Sequence, residues 1–215
     1  MKVEILFAEF GGKFKPNIEN VKEYFPDAEI NAYGPEQCHD MFEGHHDAHW
    51  GNYMNDYWKV RKLLESEADI AISFDADTKI ISDNVKAIIP LVNRFGLCLP
   101  VNPRRLVKID TEIGSHSDKR LDVTLGMGHA FNMTPIAFNT RDNISRATLT
   151  AYCEMMLGNP VRGPLNMWRA VFLSGVFPCL LPAQWCVCAE DVGIGNEVIL
   201  HVGHEEVRRH YHVDA

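Results

Sequence analysis

The chain predicts an alternating α/β fold, and three observations carry that expectation. Apolar runs of strand length end in turn residues, segments of helical period separate them, and one run, Ile70-Ala71-Ile72-Ser73-Phe74, stops at two aspartates separated by one alanine. Residues 3–10, VEILFAEF, give a first strand, residues 17–24 a short helix, and residues 28–33 a second strand closed by Gly34-Pro35, which together make a βαβ opening. Over residues 56–67, Tyr57, Val60, Leu63 and Leu64 recur at helical spacing, and this helix feeds the strand that ends at Asp75. A second βαβ unit is expected directly after it. Residues 81–95 carry Val85, Ile88, Ile89 and Val92 on one stripe, with Pro90 as a break, and residues 96–101 form the next strand. Residues 102–133 lose all periodicity, as a specificity loop would. A short strand over 136–139, helices over 143–157 and 164–174, and a strand over 198–202 that delivers His201 complete the order.

Asp75 and Asp77 are where chemistry is expected. Alternation on an extended chain turns both carboxylates to one side, and ligands of open α/β sheets sit at the C-terminal ends of strands. Two converging carboxylates there form a hard-oxygen site for Mg²⁺ or Mn²⁺, which points to a phosphorylated substrate. The plain alternative is a pair of turn formers.

Composition narrows the class. A chain of 215 residues with 46% hydrophobic content can bury one substantial core, so residues 1–215 are read as a single domain. A net charge of -8 gives no electrostatic grip on a long nucleic acid, although Arg104, Arg105 and Lys108, and Arg208 with Arg209, form local basic clusters. No apolar stretch approaches the roughly 20 residues of a membrane helix. Residues 1–4 enter a strand without a signal-peptide pattern, and the expectation is a soluble, cytoplasmic protein. The six cysteines then read as buried thiols, and Cys179 with Cys186-Val-Cys188 lacks the spaced pairs of a zinc ribbon.

Three phosphate-handling chemistries compete for the aspartate pair. A haloacid-dehalogenase phosphatase needs Thr two positions beyond the second aspartate, where this chain has Lys79. A nucleotidyltransferase of the pyrophosphorylase kind wants a glycine-rich basic loop after the first strand, which Gly11-Gly12-Lys13 imitates poorly, and the P-loop spacing is missing. A nucleotide-sugar glycosyltransferase remains.

On three landmarks the chain resembles glycosyltransferases of the GT-A type and is most similar to family 8, the glycogenin and bacterial galactosyltransferase group. They are the Arg61-Lys62 helix before Phe74-Asp75-Ala76-Asp77, the segment Leu181-Pro182-Ala183-Gln184-Trp185, and the late Ile199-Leu200-His201-Val202-Gly203-His204. The resemblance implies a Rossmann-like nucleotide-diphospho-sugar transferase fold with a mixed central sheet flanked by helices. It also implies a Mn²⁺ or Mg²⁺ ion held by Asp75, Asp77 and His201, and a nucleotide-sugar donor, by family habit a UDP-sugar. The late segment departs from the family pattern, because Gly203 follows His201 by two positions and Val207 stands where a lysine is usual. His201 and His204 therefore stand as alternative third ligands, and Arg208 or Arg209 as the replacement cation. The acidic residue at the family's DQxxLN helix start is missing from Arg162-Gly-Pro-Leu-Asn166.

The remaining candidates follow from this placement. Arg61 and Lys62 would contact the donor phosphates or form a solvated helix face. Ala8, Glu9 and Phe10 at the end of the first strand, with Tyr33 at the second, would read and stack the base. Gly203 and His204 would border the phosphates, and Gln184 would reach a substrate hydroxyl. Transfer with retention needs no protein nucleophile, whereas inversion needs a base, for which Glu190 and Asp191 are the candidates. His39, His45, His46 and His49, mixed with Asp40 and Asp47, read as a loop over the donor or as a zinc site, and His116 and His129 as acceptor contacts. The acceptor is open among a sugar, a protein side chain, a lipid-linked saccharide and a modified nucleobase. A phosphatase or nucleotidyltransferase, and a non-catalytic nucleotide-sugar-binding protein, are the alternatives.

Overall fold

The computed structural model describes residues 1–9, 14–37, 50–105, 129–158 and 163–214. Strands β1 (Val3–Ala8), β2 (Glu29–Tyr33) and β3 (Ile70–Asp75) pair in parallel, with β1 between the other two. Helix α1 (Ile18–Tyr24) connects β1 to β2, and the Asn17 side chain caps it by accepting from the Asn20 N–H. Helix α2 (Trp50–Glu65) precedes β3 and begins ahead of the predicted start.

After β3 the chain makes the three-residue strand β4 (Thr78–Ile80). The predicted helix over 81–95 divides into a 3-10 segment, Asp83–Ala87, and helix α3 (Ile88–Phe95). Pro90 lies in the first turn of α3, where no helical N–H is missed, so the break falls before Ile88 instead of at the proline. Strand β5 (Leu97–Arg105) runs past its expected end. Strands β6 (His129–Phe131) and β7 (Ile136–Asn139), helices α4 (Asn143–Gly158) and α5 (Gly163–Ser174), strands β8 (Cys179–Leu181) and β9 (Ile199–His201), and helix α6 (Glu205–Tyr211) follow.

The main sheet has the order β2-β1-β3-β7-β5-β6, with β8 also on β5. The second βαβ unit is therefore modified: β7 enters between β3 and β5, antiparallel to both, and makes the sheet mixed. Alternation on the strands sends Leu6, Ala8 and Ala71 toward α2, α4 and α5, and sends Ile5, Phe7, Ile70, Ile72 and Phe74 toward α1 and α3. Helices thus cover both faces. Asp75 shares the parity of Ala71 and points to the α2 side.

A second small sheet pairs β4 with β9 in antiparallel register, placing Thr78 opposite His201. Asn20 on α1 ties β4 down by accepting from the Ile80 N–H at 2.8 Å and donating to the Ile80 carbonyl at 3.0 Å. The late histidine is thereby brought beside the aspartates. No helix among the described residues is long and apolar enough to cross a membrane.

Candidate active site

The C-terminal residues of β2, β1 and β3 form one row: Tyr33 lies opposite Ala8, and Ala8 opposite Asp75. The Glu9 N–H donates to the Tyr33 carbonyl at 2.9 Å and extends the row by one residue. Two strand spacings separate Tyr33 from Asp75, about 10 Å. Phe10 lies outside the described residues, as do Gly11, Gly12, Lys13, Lys108, His116 and the histidines between 39 and 49.

Asp75, Asp77 and His201 converge. His201 Nε2 is 3.1 Å from Asp77 Oδ2 and 4.0 Å from Asp75 Oδ2. The Thr134 hydroxyl accepts from the Asp75 N–H at 3.0 Å, and the Asp77 carbonyl accepts from Val202 N–H at 2.8 Å, so the backbones of both loops are pinned together. A Cβ added at Gly203 would overlap Asp77 Oδ2, so only glycine lets the segment after β9 approach this carboxylate. His201 is the histidine that faces Asp77. His204 packs edge-on against the His201 ring at 5.0 Å and stands at the N-cap position of α6 without a side-chain capping bond.

The cation beside Asp75 is Lys59, which the sequence reading missed. Its Nζ lies 2.5 Å from Asp75 Oδ1 and 3.6 Å from Asp56 Oδ1, with 2% of the side chain exposed. Burial works against its charge, but Asp75 and Asp56 outweigh that cost and hold its pKa above the ordinary lysine value. Arg61 and Lys62, expected at the donor phosphates or on a solvated helix face, both pair with Glu65. Arg61 Nε pairs with Glu65 at 2.8 Å, and Lys62 Nζ is 3.0 Å from Glu65 and lies over the Tyr33 and Trp58 rings. The signal for Lys59 was available: Asp56 and Lys59 fall on the same helical stripe as Val60 and Leu63, inside the apolar face.

The titration behaviour of the cluster follows from burial opposed by partners. Burial pushes Asp75 up from the usual carboxylate value, against the pull of Lys59 and His201. Burial would raise Asp77 as well, but its hydrogen bond with His201 and the charge of that ring prevail and lower it. Burial disfavours the His201 imidazolium, yet hydrogen bonds to Asp77 and Cys188 hold its pKa up to about 10. Two carboxylates and an imidazole gathered this closely are a donor set for a divalent cation of the Mg²⁺ or Mn²⁺ class. Octahedral coordination at about 2.1 Å would space neighbouring ligand atoms by about 3 Å, close to the Asp77–His201 separation.

Gln184 lies in a 3-10 turn, Ala183–Trp185, whose backbone is fixed by the Gln184 carbonyl accepting from Val198 N–H at 2.8 Å. Trp185 is buried in the core, Glu190 is exposed and Asp191 is buried. Arg208 donates to the Val202 carbonyl, so it props the loop that carries Gly203.

No family model and no curated protein matches the sequence. Solved structures do match the fold. A glycosyltransferase involved in glycosylation of the major capsid of PBCV-1 aligns with 99% of this chain and 98% of its own, at a TM-score of 0.58 and 9% identity. The galactosyltransferase LgtC, solved with donor and acceptor sugar analogs, aligns with 92% of this chain and 86% of its own, at 0.52 and 12%. The bifunctional glycosyltransferase WbbM aligns with 96% of this chain and 46% of its own, at 0.55 and 10%. The chain has the GT-A fold.

Proposed function

We propose that this protein is a metal-dependent glycosyltransferase that moves a sugar from a nucleotide-diphosphate sugar, a UDP-sugar by the family 8 resemblance, to an acceptor hydroxyl. The convergence of Asp75, Asp77 and His201 at the C-terminal end of β3, inside a GT-A fold, is the observation that carries the reading. Asp75, Asp77 and His201 would hold Mn²⁺ or Mg²⁺, which supplies Lewis-acid stabilisation of the departing diphosphate. Lys59 fixes Asp75 from the core side and leaves Oδ2 turned toward the site. Gly203 lets the segment after β9 sit against the Asp77 carboxylate and so helps set the position of that ligand. The roughly 10 Å between Tyr33 and Asp75 suits a base at β1 and β2 and a diphosphate at β3. Ala8 and Glu9 backbone groups would read the base beside Tyr33, and Lys62, already over the Tyr33 ring, would border it. His204 flanks the His201 ring, and Gln184 would orient a hydroxyl of donor or acceptor. Retention of configuration belongs to the same reading through the resemblance. Five free cysteines among the described residues suit a reducing, cytoplasmic setting.

Calorimetric titration of UDP-sugars with and without Mn²⁺, together with UDP release in the presence of candidate acceptors, tests the reading. Donor binding should require the metal and vanish in Asp75→Ala and Asp77→Ala. Affinity unchanged in both variants would overturn it, and release of inorganic phosphate from simple esters would point to a phosphatase instead.

A further inference from the structure

Cys188 Sγ faces His201 Nδ1 whereas Asp77 faces Nε2, and the sugar-transfer reading uses neither Cys188 nor Cys186. Val187 bridges Leu200 of β9 in parallel register: its N–H donates to the Ile199 carbonyl at 3.0 Å, and its carbonyl accepts from His201 N–H at 3.0 Å. Period-two alternation then turns Val187 and Leu200 one way, into a small apolar cluster with Val202 and Val207. Cys186, Cys188 and His201 turn the other way, and their ligand atoms all lie within 4.8 Å of one another. We propose that Cys186, Cys188 and His201 Nδ1 form a second metal site, for a thiophilic dication of the zinc class, back to back with the carboxylate site.

Geometry and charge support the assignment. Tetrahedral zinc with Zn–S of about 2.3 Å and Zn–N of about 2.0 Å sets S and N about 3.5 Å apart, and Cys188 Sγ lies 3.7 Å from His201 Nδ1. Both sulfurs are buried, where two thiolates neutralise a dication and a lone charge would be costly. His204 faces the Cys188 sulfur too and is, among the described residues, the imidazole available for a fourth position. Soft sulfur ligands distinguish this site from the carboxylate side of the ring, so the two select different metals. Binding sends the Cys186 thiol proton and the proton shared between Cys188 Sγ and His201 Nδ1 to solvent. With the cation on Nδ1, the remaining ring proton sits on Nε2 and donates to Asp77, so filling the thiol site withdraws from the carboxylate site the lone pair that it needs.

Titrating the reduced full chain with Co²⁺ alone tests this. We expect one equivalent to produce thiolate-to-metal charge-transfer absorption, displaced by Zn²⁺, and Cys186→Ser and Cys188→Ser each to weaken binding more than about tenfold. Cys179→Ser serves as a control and should leave the absorption in place. Because a serine variant can fold poorly, X-ray absorption on the zinc-loaded unsubstituted chain should find two sulfur neighbours. Absence of thiolate bands, their survival in the double cysteine variant, or a sulfur-free zinc environment would overturn the proposal. None of these outcomes depends on sugar transfer, so either reading can fail alone.

Discussion

Lys59 is an ammonium inside the protein, tolerated because Asp56 and Asp75 flank it. Replacing it with methionine preserves the volume and strands two buried carboxylates, which costs about 3–5 kcal/mol. Urea denaturation of Lys59→Met should show this loss, and a change within about 0.5 kcal/mol would mean that the pair is immaterial. Gly203→Ala acts differently, because the new methyl displaces Asp77 and leaves the core alone. Its Mn²⁺ affinity should fall at least about tenfold, read by calorimetry, with an unaltered circular dichroism spectrum. The Asp77–His201 pair sets a pH window for the metal-free chain. His201 is raised to about 10, so its stabilisation is whole below its unfolded value of about 6.5 and fades as pH climbs through 10. Asp77 is lowered, so its share is present above 3.8 and fades as pH falls through its folded value. Denaturation midpoints recorded from pH 6 to 10 should therefore decline on the alkaline side, and a flat profile would contradict the pairing.

Elements become legible in a sequence when they are long enough to repeat. Helices α4 and α5 and strands β1 and β3 carry several apolar positions each, and their periods place them within a few residues of where they lie. Strands β4, β8 and β9 have three residues each, too few for alternation to declare itself, and only β9 was anticipated, through its histidine. The site inherits this asymmetry. Asp75 was readable from the apolar run before it, whereas Lys59 was hidden within a helix whose neighbouring cations, Arg61 and Lys62, looked more available. Zinc spacing is a property of sequence, and Cys186-Val-Cys188 does not have it, whereas the meeting of both thiols with His201 depends on which strand Val187 joins. Helix α5 offers a test of coupling between elements. Asp56 Oδ2 accepts from the Gly163 N–H at 2.8 Å and caps the start of that helix from α2. Asp56→Ala removes the cap and one of the Lys59 partners. It should destabilise the chain by about 1–3 kcal/mol in urea, with greater amide exchange in the first turn of α5 than in α4.

The molecule as a whole keeps a GT-A fold at 9 to 12% identity to the structures it resembles. That is physically reasonable, because a fold needs apolar residues of suitable volume at alternating positions, and many sequences satisfy that pattern. What the pattern does not specify is the sheet order, in which β7 enters between β3 and β5 from far along the chain. The consequence is a C-terminal edge where β1, β2 and β3 end together and where β9 arrives through β4. A ligand bound there touches three segments distant in sequence: the β1–β2 ends, the Asp75–Asp77 turn and the His201–Gly203 loop. Binding confined to the folded state must then stabilise the whole chain, by about 2.7 kcal/mol at a hundredfold excess over Kd. On the proposed reading, the Asp75 and Asp77 carboxylates would repel the diphosphate of a lone nucleotide until a cation intervenes. We therefore expect UDP alone to leave the thermal midpoint unchanged, Mn²⁺ alone to raise it, and the two together to raise it by more than the sum. Asp77→Ala should lose the cooperative part. Differential scanning calorimetry of the four combinations decides the matter, and an equal shift by UDP with and without metal would place the nucleotide away from the aspartates.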